Sequence, residues 1–150
     1  RFVDMQVRIK SIEQWFTEYG ESHRNATNKA IHWICVPLIT YTLLGLLWAL
    51  SPYALLVFSI VALVFYLTLS MLMSLVMLLA VIFMAWSFTL FSREVLVISC
   101  VVIFVLAWIG QFIGHKIEGR KPSFFKDIQF LLVGPIWLLG FLFKRYGWAY

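Results

Sequence analysis

Two short stretches carry most of the residues that could do chemistry in this otherwise apolar chain. The first, HRNATNKAIH, covers residues 23–32 and has a histidine at each end. The second, WIGQFIGHKIEGRKP, covers residues 108–122 and combines a histidine with glutamine, glutamate and arginine. Together they hold all three histidines of the chain: His23, His32 and His115. Neutral imidazole is the commonest protein ligand for transition metals, so a metal site is one interpretation.

Spacing places the polar residues of each stretch on a shared helical face. Glu118 follows His115 by three residues and Gln111 precedes it by four, so these three side chains lie on one face. In the other stretch, Asn28 precedes His32 by four residues. Asn28 and Gln111 are therefore candidate hydrogen-bond partners of the histidines, and Glu118 is either a fourth metal ligand or a partner that orients an imidazole.

His23 and His32 can bind one ion only if the helix breaks between them. The two are nine residues apart, half a turn out of phase on a straight helix. Ser22 or Asn25 can cap a new helix and supply that break. Nitrogen ligands with at most one carboxylate and no thiolate suit Fe(II) with open positions, or zinc. The alternative is that the histidines contact lipid headgroups or backbone, and the residues alone leave both open.

Arg120 has two interpretations of its own. A guanidinium can grip a substrate carboxylate with two hydrogen bonds. It can also serve only as one of the positive charges that collect on the cytoplasmic side of a membrane.

The composition identifies the solvent of these stretches as lipid. The chain has 150 residues, of which 63% are hydrophobic and 13% charged, too apolar for a soluble core of this size. Between Ala30 and Lys116 the only charged residues are Arg93 and Glu94. The net charge of +5 comes from basic residues that flank apolar runs, which excludes a nucleic-acid-binding domain and favours contacts with anionic lipid.

We therefore predict an all-α integral membrane protein with a single membrane domain over residues 1–150. Residues 1–20 are amphipathic and predict a helix on the membrane surface or packed on the bundle. The charge-free run 53–91 is too long for one span and should fold back near Ser70 to Ser74. The short apolar segment 128–143 contains Gly134-Pro135, which favours a re-entrant or interfacial segment. Four transmembrane helices are expected, over about residues 31–50, 53–70, 73–91 and 95–115.

The basic residues predict which ends of these helices meet. All but one of the lysines and arginines precede residue 30 or follow residue 115, so both termini should face the cytoplasm. Two ends on one side require an even number of crossings. With four crossings, His32 at the start of the first span and His115 at the end of the fourth lie at the same membrane face.

The two stretches also carry a family resemblance. The pattern of His23, Asn28, His32 and Pro37 resembles the family of the fungal 2-hydroxy-fatty-acid dioxygenase and its bacterial homologues, and so does the run from Gln111 to Pro122. The resemblance covers about residues 12–145 and extends to the GPIWL segment, 134–138. Gly140 stands where an acidic residue is expected in the fungal members.

The resemblance implies an Fe(II)-dependent oxidoreductase of fatty-acid α-oxidation. Such an enzyme converts a 2-hydroxy fatty acid and O₂ to the acid one carbon shorter and CO₂, and in fungi it serves the breakdown of the sphingolipid base phytosphingosine at the endoplasmic reticulum. The iron would be held by His23, His32 and His115. A bacterial inner membrane is favoured over the endoplasmic reticulum. Two other hypotheses stay open: a non-enzymatic lipid-binding or scaffold protein, and a zinc-dependent membrane hydrolase.

Overall fold

The computed structural model describes residues 11–21, 24–119 and 124–150. Within these ranges every regular element is a helix. The six helices are α1 (Ile12–Glu21), α2 (Ala26–Leu50), α3 (Pro52–Leu67), α4 (Met71–Phe88), α5 (Arg93–Glu118) and α6 (Phe124–Arg145). Among them α2, α4 and α5 are long and apolar enough to cross a membrane. Helix α3 has 16 residues and is about 24 Å long, shorter than the hydrocarbon layer of a typical bilayer.

Serine side chains begin the three helices that follow tight connections. Ser51 caps α3 by accepting a hydrogen bond from the backbone N–H of Tyr53, at 3.2 Å. Ser70 and Ser92 cap α4 and α5 in a similar way, each accepting from the backbone N–H three residues later, of Met73 and Val95. The long apolar run folds back at residues 68–70, at the N-terminal end of the predicted turn near Ser70 to Ser74.

Helices α2 and α5 pack against each other in antiparallel directions, with glycines at their closest approaches. A Cβ added to Gly45 near the end of α2 would lie 2.8 Å from Sγ of Cys100, near the start of α5. A Cβ on Gly110 near the end of α5 would lie 2.7 Å from Sγ of Cys35. Small residues let two membrane helices approach this closely. The start of α2 therefore lies beside the end of α5.

Two buried clusters show that α2 to α5 alternate in direction. One cluster joins the end of α2, the start of α3, the end of α4 and the start of α5, through Leu44, Leu55, Phe88, Leu96 and Cys100. The other joins the opposite ends of α2, α3 and α4 with α1 and α6. Helices α1 and α6 thus cover the same end of the bundle at which α2 begins.

The C-terminal apolar segment is one continuous helix that packs into the bundle. Helix α6 runs through Pro135, and its Val133, Ile136 and Trp137 are buried among the other helices. The expected re-entrant or interfacial segment is therefore a helix without a break in its course. On α1, Phe16 and Tyr19 are buried in the same cluster, while residues 1–10 of the predicted amphipathic helix lie outside the described residues.

The last residue of the chain folds back onto α1. The hydroxyl of Tyr150 donates to Oε1 of Glu13 at 2.7 Å, and Nζ of Lys144 lies 3.6 Å from the other oxygen. Burial, and then the adjacent Glu13 carboxylate, raise the pKa of Tyr150 to about 12. These contacts fasten the end of α6 to α1.

Candidate metal centre

The packing of α2 on α5 brings two predicted histidines together. The ring centroids of His32 and His115 are 6.1 Å apart, and the rings are nearly perpendicular, at 88°. His32 is buried and His115 is partly exposed. Two nitrogen ligands of one ion, each at roughly 2.1 Å from it, lie no more than about 4 Å apart.

The orientation of His32 is fixed by a contact with the preceding turn of α2. Its Nδ1 lies 3.1 Å from the backbone oxygen of Asn28. Because a carbonyl oxygen only accepts hydrogen bonds, Nδ1 carries the proton, and the neutral ring has its lone pair on Nε2. Ligating histidines commonly donate their other N–H to a backbone carbonyl in this manner. The tautomer of His32 is therefore the one that suits metal binding.

Glu118 fastens the start of α2 to the end of α5. Its Oε1 accepts from the backbone N–H of Arg24 at 2.8 Å, and its Oε2 accepts from the backbone N–H of Asn25 at 2.9 Å. The same Oε2 accepts from Nδ2 of Asn28 at 3.3 Å. A carboxylate at this position also faces the positive end of the α2 dipole. Through these contacts Glu118 holds the start of α2 against the end of α5, and its role as a metal ligand or as a partner that orients an imidazole stays a prediction.

Asn28 links the carboxylate to the imidazole. The residue is fully buried, its side chain donates to Glu118, and its backbone oxygen accepts from His32. Gly114 makes room for it, because a Cβ there would collide with Oδ1 of Asn28. A glycine is therefore required at the point where α5 crosses the buried amide.

Gln111 supplies a further polar group one turn before His115. The residue is 7% exposed, and its buried Oε1 has no hydrogen-bond partner among the residues that the structure describes. A buried carbonyl oxygen without a partner costs free energy, so its presence calls for an explanation beyond packing. A donor on a bound molecule would satisfy it.

Two predicted site residues, His23 and Arg120, lie outside the described residues. Within the described ranges, no group of three His, Cys, Asp or Glu side chains is placed to hold a metal ion. The described part of the site consists of two facing imidazoles, a glutamate that joins the start of α2 to the end of α5, and two buried amides.

The structure adds two aromatic residues that the sequence did not single out as site residues. The ring of Tyr19 on α1 lies 6.2 Å from that of His32, edge to face, and 4.9 Å from that of Trp137 on α6. A Cβ on Gly134 would lie 3.1 Å from the Tyr19 hydroxyl, so α6 passes close by. The apolar spacing of the N-terminal segment indicated that Tyr19 is buried, but it did not predict that Tyr19 contacts His32 or Trp137.

Gly140 packs against α1. A Cβ there would lie 2.6 Å from Cε2 of Phe16, the residue through which α1 packs on α6. In this chain the position serves close packing between the two covering helices.

An all-helical bundle with three helices of membrane-spanning length and a paired-histidine site at one end defines a class, that of helical membrane proteins with a candidate metal centre. Comparison with known families is more specific. The family model described as 2-hydroxy-palmitic acid dioxygenase Mpo1-like matches residues 9–146, and the chain belongs to this family. No curated protein and no solved structure matches the chain.

Proposed function

We propose that this protein is an Fe(II)-dependent dioxygenase that shortens a 2-hydroxy fatty acid by one carbon with O₂, releasing CO₂. The observation that carries the proposal is the facing pair of His32 and His115 in a member of the 2-hydroxy-palmitic acid dioxygenase family, with His32 donating to the backbone oxygen of Asn28.

The residues present fit an iron ion. His32 and His115 would hold it, with His23 as the third ligand, and nitrogen ligation with open positions suits Fe(II). Glu118 accepts a hydrogen bond from the backbone of Arg24, the residue directly after His23 in the chain. When bound, iron would supply Lewis-acid chemistry and the activation of O₂.

The protein's own groups would bind the polar head of the substrate. Gln111 Oε1 is a buried acceptor suited to the 2-hydroxyl, and Arg120 would bind the carboxylate. His115 and Glu118 are only partly buried, so the head would enter at the end of the bundle. The hydrocarbon tail would then stay among the helices or in lipid.

The orientation in the membrane follows from the same arrangement. Helices α2 to α5 would cross four times, with both termini and the histidines on the cytoplasmic side. The short α3 would require tilting of its neighbours or local thinning of the bilayer. A bacterial inner membrane is favoured over the endoplasmic reticulum, and phytosphingosine breakdown is the source of substrate that the fungal members suggest.

Metal analysis and oxygen uptake test the proposal on protein purified in lipid nanodiscs. We expect one iron per chain, and O₂ uptake with CO₂ release on 2-hydroxypalmitate. His32→Ala and His115→Ala should lose both iron and turnover. Cys100→Ala removes a buried ligand-type side chain at the opposite end of α5 and should keep both.

The alternatives give different results in the same experiment. Stoichiometric zinc with no oxygen uptake would indicate the membrane hydrolase. Absence of any stoichiometric metal, with no effect of the histidine variants, would indicate the lipid-binding or scaffold protein.

A further inference from the structure

An apolar cavity lies inside the bundle, deeper than the histidines. Its volume is about 40 Å³, and it is enclosed by α2, α3, α4 and α6 and partly open to the outside of the bundle. Two of its hydroxyl groups are bonded to backbone, because Thr40 donates to the oxygen of Val36 and Tyr66 donates to the oxygen of Leu132. The third, the buried hydroxyl of Ser59, has no hydrogen-bond partner among the residues that the structure describes. The surrounding surface comes mainly from the side chains of Leu43, Leu44, Phe58, Leu63, Met77 and Val81.

We propose that this cavity holds the methyl end of the substrate's acyl tail and thereby sets the preferred chain length. The inference rests on the proposed function, which places the substrate's head at the histidines. Cavities lined by apolar side chains stay dry and accept apolar groups. A space of this volume suits the end of a hydrocarbon chain rather than a whole molecule.

The distance along α2 matches the substrate class. Thr40 and Leu44 follow His32 by eight and twelve residues, which is about 12 to 18 Å along a helix. An extended chain advances about 1.2 Å per bond, so roughly ten to fifteen bonds separate the imidazole from the cavity. This is the reach of a palmitic chain whose second carbon lies at the histidines.

Helices α2 and α6 pack closely between the histidines and the cavity, which limits the route. A Cβ on Gly134 would lie 3.2 Å from Cγ1 of Val36 and 3.1 Å from the hydroxyl of Tyr19, so α6 is closely packed on α2 there. The tail would therefore run parallel to α2 beside this contact and enter the cavity through its open side. Only the chain end is enclosed by protein.

Chain-length selectivity tests the proposal. Ala62 lines the cavity, and Ala62→Val should fill part of it. We expect the ratio of kcat/KM for 2-hydroxylaurate to that for 2-hydroxypalmitate to rise about tenfold, since one or two methylenes in an apolar pocket change selectivity by this order. Met77→Ala enlarges the cavity and should shift the ratio of 2-hydroxystearate to 2-hydroxypalmitate in the opposite direction, toward longer chains.

The neighbouring Val61 provides the matched control. It is 62% exposed on α3 and does not line the cavity, so Val61→Leu should leave the chain-length profile unchanged. If Ala62→Val and Met77→Ala remain active and keep the wild-type chain-length preference, the cavity does not bind the acyl tail and the proposal is wrong.

A binding experiment on metal-free protein separates this inference from the proposed function. A 2-hydroxy fatty acid with a diazirine at its methyl end should label peptides of α3 and α4 around Ala62 and Met77, and Ala62→Val should reduce the labelling. A phospholipid with the same labelled tail distinguishes a membrane lipid as the occupant. Labelling by the phospholipid alone would overturn the proposal. Labelling by the hydroxy acid, with no turnover of any chain length, would support the tail site and refute the dioxygenase assignment.

Discussion

Removal of the Glu118 carboxylate is the perturbation that most directly tests how the two histidines are held together. Glu118→Ala deletes three hydrogen bonds between the end of α5 and the start of α2. Water can replace the acceptor for the N–H groups of Arg24 and Asn25, which are exposed residues. It cannot reach Asn28, which is fully buried.

The expected loss follows from that difference. A buried donor whose acceptor is removed costs about 1–3 kcal/mol. The lost negative charge at the start of α2 adds about 0.3–1 kcal/mol. We therefore expect Glu118→Ala to lower the free energy of unfolding by about 1–4 kcal/mol. Reversible unfolding in a mixed-detergent titration, followed by circular dichroism, measures this change.

The isosteric variant distinguishes an orienting carboxylate from a ligand. Glu118→Gln keeps one carbonyl oxygen as an acceptor but presents an NH₂ group in place of the second oxygen. We expect about half of the alanine effect on unfolding and retention of bound iron. A direct ligand would give the reverse pattern, with iron lost and unfolding close to wild type.

Glu94 provides the control at the other end of the same helix. It is exposed, in the first turn of α5, so Glu94→Ala and Glu94→Gln should change unfolding by no more than about 1 kcal/mol. If Glu118→Ala unfolds at the same denaturant concentration as Glu94→Ala, the network through Asn28 does not hold α2 to α5, and the reasoning fails.

Two further predictions concern glycines at helix contacts. Gly114→Ala should destabilise the fold by about 1–3 kcal/mol and reduce iron content, because the added methyl collides with Asn28. Gly20→Ala meets only an ordinary contact and should stabilise α1 by up to about 1 kcal/mol. Equal Tm values for the two variants would contradict this account. Gly140→Asp should destabilise the packing of α1 on α6, and Phe16→Ala in the same chain should recover part of the loss; a double variant that is no more stable than Gly140→Asp alone would show that Phe16 is not the obstacle.

The sequence predicted from the parity of crossings that His32 and His115 share one membrane face, and the packing of α2 on α5 brings their rings together. The distribution of basic residues indicated an even number of crossings, and an even number places the start of the first long helix beside the end of the last. The glycines of α5 and the serine caps are local features that agree with this arrangement. The third histidine, His23, lies outside the described residues, and its part in the site stays a prediction.

The contribution of α1 and α6 was not accessible in the same way. Spacing indicated that Tyr19 is buried, yet burial does not say which element covers a side chain. For α6, the 16 residues of 128–143 and its internal proline favoured a re-entrant or interfacial segment, because the run is short for a span and a proline removes one helical hydrogen bond. In the folded chain the helix continues through Pro135 to Arg145, and its buried face is matched by α1, α2 and α4. Packing against neighbours, which a window of sequence does not contain, thus decides both the course of α6 and the place of Trp137 beside the tyrosine that contacts His32.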